Sequence, residues 1–75
     1  MKDEQNNIIR NEIKSEIARS GMTLTAIVEE MNLRHADDKT TTQNISNKLT
    51  RQTIKYSEVL EIADIIGMRV EWIKK

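Results

Sequence analysis

Thr41-Thr42-Gln43-Asn44-Ile45-Ser46-Asn47-Lys48-Leu49 is the stretch whose reading decides the fold. Ile45 and Leu49 stand four residues apart, so on a helix both point to one side and into a core. Gln43, Asn47 and Thr50 fall on the opposite side, with Asn44 and Ser46 on its flanks. That outward side carries amides and hydroxyls, and no acid or large apolar residue. Such groups both donate to and accept from a base edge. Thr41 is placed to cap the helix, its hydroxyl accepting a free amide hydrogen of the first turn. The spacing predicts a short, two-faced helix from Thr42 to Leu49 or Thr50.

The charge around this stretch points the same way. From Lys39 to Ser57 the charged residues are Lys39, Lys48, Arg51 and Lys55, with no acid among them. Over the whole chain, twelve basic residues balance twelve acidic ones. Phosphate contacts dominate DNA affinity, so a local basic field counts for more than net charge. A plain solvated helix with clustered charge is the competing reading of this feature.

Seventy-five residues without cysteine or proline, and with only two glycines, describe one small domain without disulfides or thiolate metal sites. The scarcity of turn residues argues against a β protein and for an all-α one. No apolar run approaches a membrane span and no signal-peptide pattern opens the chain. The expectation is a cytoplasmic protein with no membrane partner and no small-molecule cofactor.

Residues 1–7 are polar and expected to fray. Ile9, Ile13 and Ile17 recur every four residues and predict a first amphipathic helix, stopped by Gly21. Glu12 and Glu16 can pair with Arg10 and Arg19 on its surface. Thr23 caps a second helix, Leu24 to Met31, with Asn32 as a left-handed stop. Leu33 to Thr40 reads as a loop. Its His35, Asp37 and Asp38 match no strong metal-ligand spacing and more simply make a turn.

Beyond the quoted stretch, Tyr56, Val59, Leu60, Ile62, Ala63, Ile65 and Ile66 predict a largely buried fourth helix, capped by Ser57 or Thr53 and stopped by Gly67. Met68, Val70, Trp72 and Ile73 predict a short fifth helix, with Trp72 filling the core.

This order of elements resembles the helix-turn-helix family of phage repressors and xenobiotic-response-element (XRE-type) bacterial regulators. The resemblance runs from Ile9 to Ile73. It is carried by Gly21-Met22-Thr23, by Ile45-Ser46-x-x-Leu49, and by Leu60-x-Ile62-Ala63-x-x-Ile66-Gly67-Met68 followed by Glu71-Trp72-Ile73. It implies a compact five-helix, lambda-repressor-like DNA-binding domain whose third helix enters the major groove of double-stranded DNA. By this resemblance Thr42, Gln43 and Asn47 contact bases, additively where those bases are distinct. Thr41 and Asn44 reach the backbone or the groove edge, while Thr23, Thr50, Arg51 and Lys55 fall where relatives touch phosphate.

The chain departs from the family pattern in three places. Asn32 replaces a glycine, with residues 33–40 inserted before Thr41. Arg51 replaces the glycine usual after the third helix, losing an easy left-handed turn. Arg69 stands where Ser or Thr would cap the last helix.

Two functions follow. One is a sequence-specific transcriptional regulator, a repressor acting as a homodimer on two half-sites, with its dimer surface at Trp72–Lys75 or on the fifth helix. The other is a protein-interaction module on the same fold, an antitoxin or adaptor. One histidine, no cysteine and no paired carboxylates in an apolar cleft argue against an enzyme.

Overall fold

The computed structural model describes residues 8–75, so the expectation of fraying at residues 1–7 lies outside the described residues. Those described form four α-helices and no strand: α1 Ile8–Ser20, α2 Leu24–Arg34, α3 Thr42–Arg51 and α4 Tyr56–Ile65. The core is aliphatic. Ile13 and Ile17 of α1, Ile27, Val28 and Met31 of α2, Ile45 and Leu49 of α3 and Ile62 of α4 meet in one buried cluster. Helix α2 packs against α3 and α4, and α1 packs against α3.

Each helix end has a local cause. Gly21, at φ +80°, ends α1 in the left-handed region. The Thr23 hydroxyl accepts the Ala26 N–H at 3.1 Å and so starts α2. Gly67, also at φ +80°, closes α4: the Met68 N–H reaches back to the Ala63 carbonyl at 2.8 Å. On α1, Glu16 pairs with Arg19 at 3.6 Å on an exposed surface.

Four expectations about the elements are corrected. First, Asn32 is not the stop of α2, which continues to Arg34 and leaves through His35 at φ −128°. Asn32 stays helical because its side chain has another task, described below. Second, the left-handed residue after α3 is Gln52, at φ 59°, while Arg51 is the last helical residue. Third, neither Ser57 nor Thr53 caps α4. Lys55 occupies the cap position, and its N–H donates to the Glu58 carboxylate at 2.9 Å, which satisfies the helix start without a capping hydroxyl.

The fourth correction is the largest. There is no fifth helix: residues 68–75 carry no regular structure, and Trp72 is 87% exposed instead of filling the core. Apolar residues at 68, 70, 72 and 73 lie at scattered angles on a helix and make no stripe. Arg69 supplies no cap either. Only the edge of the Trp72 ring is engaged, its Nε1–H donating to the Tyr56 hydroxyl at 3.1 Å with ring centroids 6.3 Å apart. Helix α4 is consequently less covered than its wide apolar arc suggests. Ile62 alone is fully buried there, while Tyr56 and Leu60 are exposed.

Candidate nucleic-acid interface

Helix α3 is the most two-faced of the four. Its two apolar side chains, Ile45 and Leu49, are wholly buried. Thr41 caps its start, the hydroxyl accepting the Asn44 N–H at 3.0 Å. Its end is closed by the Thr53 N–H on the Lys48 carbonyl (2.9 Å) and the Gln52 N–H on the Leu49 carbonyl (3.3 Å). This is the Schellman pattern, with a glutamine in the place glycine favours. Thus the helix is fixed at both termini and along its inner face.

Gln43, Asn44, Asn47 and Thr50 are exposed on the outer face, and Thr42 is half-buried. Gln43 and Asn47 are joined, because Gln43 Nε2 donates to Asn47 Oδ1 at 3.0 Å. The bond ties the two amides together and leaves Gln43 an acceptor oxygen and a second N–H, and Asn47 its two N–H donors. The two side chains are thus in direct contact, the situation in which additivity can fail. The hydroxyls of Thr23 and Thr41 serve as helix caps and still have a proton to donate outward.

The basic field is smaller than the sequence implies. Lys48 is bound to Glu58 of α4 at 2.8 Å, an acid that begins just past the acid-free stretch. Burial alone would push the Glu58 carboxyl up. The Lys48 ammonium and the Lys55 N–H outweigh that and hold it below the usual glutamate range. Among the described residues the side chains of Lys39, Arg51 and Lys55 make no ion pair, although the Lys55 charge also acts on Glu58, and all three residues are exposed. Arg51 ends α3, Lys55 stands at the start of α4 and Lys39 precedes α3, so the remaining positive charge flanks the polar face in sequence on both sides.

Sequence reasoning missed what positions α3. Asn32 and Thr40 form a closed pair: the Thr40 N–H donates to Asn32 Oδ1 at 2.8 Å, and Asn32 Nδ2 donates to the Thr40 carbonyl at 3.0 Å. The asparagine amide thereby grips the backbone one residue before the Thr41 cap. Arg34 and His35, at the start of the intervening stretch, are tied down as well. His35 Nε2 meets Glu61 at 2.8 Å, and Arg34 bridges Glu30 at 3.3 Å and Asp64 at 3.0 Å. His35 therefore turns to α4, away from the Asp37 and Asp38 beside it in sequence. An open cleft of about 720 Å³ remains between this loop, α3 and α4, and Lys39, Asn44, Lys48 and Lys55 line it. Apart from Glu30–Arg34, which is four residues apart on one helix, none of these pairings leaves a periodic trace in the chain, since the partners are eight to thirty residues apart.

No helix among the described residues is long and apolar enough to cross a membrane. Comparison with protein-family models, curated proteins and solved structures returned no match.

Proposed function

We propose that this chain is a sequence-specific DNA-binding regulator, a repressor of transcription, that lays α3 in the major groove of double-stranded DNA as half of a homodimer. The observation that carries the reading is the Gln43–Asn47 pair: two amides, bonded to each other, exposed on a helix whose other face and both ends are fixed. A glutamine or asparagine amide reads adenine through its paired donor and acceptor, at about 1–3 kcal/mol of discrimination for a good bidentate contact. Thr42 lies beside them as a third base contact. Thr23, Thr41, Asn44 and Thr50 offer hydroxyls or amides to the backbone, and Arg51 and Lys55 supply the unspent charge. Lys48 is left out of the phosphate contacts because Glu58 neutralises it.

The test is selection of bound sequences from a random duplex library, followed by binding profiles across all single-base variants of the winner. Gln43→Ala should lower affinity for the selected site by about 1–3 kcal/mol. Because Gln43 and Asn47 share a hydrogen bond, the double variant should lose less than the sum of the two single losses. Arg51→Gln or Lys55→Gln should weaken all duplexes alike and flatten the salt slope by about one unit. Superimposable profiles for Gln43→Ala and wild type would remove α3 from the groove. Salt-insensitive binding to a protein, without retardation of any duplex, would favour the interaction module instead.

A further inference from the structure

The cleft between the loop, α3 and α4 measures about 720 Å³, inside the range of roughly 300–1,000 Å³ that small-molecule sites occupy. Three ties fix its walls. The Asn32 amide holds Thr40, His35 holds Glu61, and Lys48 of α3 holds Glu58 of α4. These ties also pair off most of the surrounding charge. Glu58 and Glu61 are bonded to cations, and their side chains are only 18% and 16% exposed. Arg34 is bonded to Glu30 and Asp64. Three charged residues of the lining make no ion pair among the described residues: Asp38, Lys39 and Lys55. Lys55 acts on Glu58, but the Lys48 ammonium already sits on that carboxylate. The unpaired charge of the cleft is therefore two cations against one anion, with the Asn44 amide and the Ser57 hydroxyl in the same lining.

We propose that this cleft binds a small molecule carrying two or more phosphate charges, which bridges Lys39 of the loop and Lys55 of α4. Lysine is a point charge with three rotatable donors, which suits a phosphate group. A planar carboxylate is matched better by arginine, and the one arginine of the lining is already paired on both sides. A single negative charge that engaged one lysine would be offset by Asp38, so a ligand with several charges is selected. Asn44 and Ser57 offer hydrogen bonds to the rest of the molecule. The consequence for regulation rests on the preceding proposal, in which Lys55 contacts DNA phosphate. Ligand and duplex then compete for one side chain, and each weakens the binding of the other by the same factor.

The site itself is measured without DNA, with inorganic pyrophosphate as the probe. Amide chemical shifts at constant ionic strength should move saturably at Lys39, Asn44, Lys55 and Ser57, with a midpoint of about 1 mM. Lys39→Gln and Lys55→Gln should each raise the dissociation constant about tenfold, as for loss of one charged hydrogen bond. Asp38→Asn should lower it about threefold, because a like charge is removed. Arg51 is also exposed and without an ion pair, but it lies outside the cleft, so Arg51→Gln should leave pyrophosphate binding unchanged. All four residues are exposed, and helix content by circular dichroism should not change. Shifts that fail to saturate up to about 10 mM, or equal losses for Lys39→Gln and Arg51→Gln, would overturn the site and leave only charge screening. Tighter binding by the two lysine variants would overturn it as well. A second measurement adds duplex. Pyrophosphate should weaken duplex binding more than sodium chloride of equal ionic strength does, and Lys39→Gln should abolish the difference. A chain that binds pyrophosphate and ignores duplex overturns the regulator reading alone; one that binds duplex and not pyrophosphate overturns the cleft site alone.

Discussion

Helix α3 has two large apolar side chains, Ile45 and Leu49, and both are entirely buried; residues 68–73 have four, and every one is exposed. The contrast teaches that spacing decides burial and number does not. Two residues four apart share a side of a helix, and one helix can close its own backbone bonds. Residues two apart share a side of a strand, and a strand closes no bonds alone. The first arrangement completes itself within one helix, whereas residues 68–73 take no regular structure and bury none of their apolar side chains.

The comparison breaks most visibly on truncation. Leu49→Ala should cost about 2–5 kcal/mol in denaturant unfolding, as for other buried leucines. Trp72→Ala, in dilute solution, should cost below about 1 kcal/mol despite the larger side chain, since only the tilted contact with Tyr56 is lost. Equal losses would place Trp72 in the core.

How α3 is held can be probed next. Asn32→Ala leaves the Thr40 N–H and carbonyl without their partners in a half-buried place, a loss of about 1–3 kcal/mol. A loss below about 0.5 kcal/mol, the range of ordinary surface sites, would show that the grip on Thr40 is incidental.

The tie between α3 and α4 has a pH signature. The folded state holds the Glu58 carboxyl below its ordinary value of 4.5, so its contribution is fully present above that value and fades as pH falls through the lower, folded one. Glu58→Gln should cost about 1 kcal/mol near neutrality, the worth of a partly exposed charged hydrogen bond. The gap between wild type and variant should close below pH 4.5. A gap independent of pH would assign the effect to packing.

What the sequence discloses follows from how local each cause is. The all-helical class, the Thr23 and Thr41 caps, the glycine stops at 21 and 67 and the burial of Ile45 and Leu49 each depend on residues within one helical turn, and all were legible. The outer face of α3 was legible as well, because a polar side follows from its apolar one. The Asn32–Thr40 grip, the Lys48–Glu58 bridge and the His35–Glu61 contact arise only when distant turns meet. The fifth element failed for another reason. Four apolar residues in six invite a helix, but Met68, Val70, Trp72 and Ile73 make no stripe at helical spacing and Arg69 stands in the cap position.

The grip of Asn32 on Thr40 makes the length of the loop immaterial to the helix that follows. Chain leaves α2 and returns at a fixed point, while the exposed run Ala36–Lys39 lies between. Lengthening such a run costs only about 0.6 kcal/mol per doubling. The fold therefore contains a grafting port: a peptide tag or sensing module spliced at Asp37 and Asp38 would ride beside the cleft, with the reading helix still anchored on Thr41.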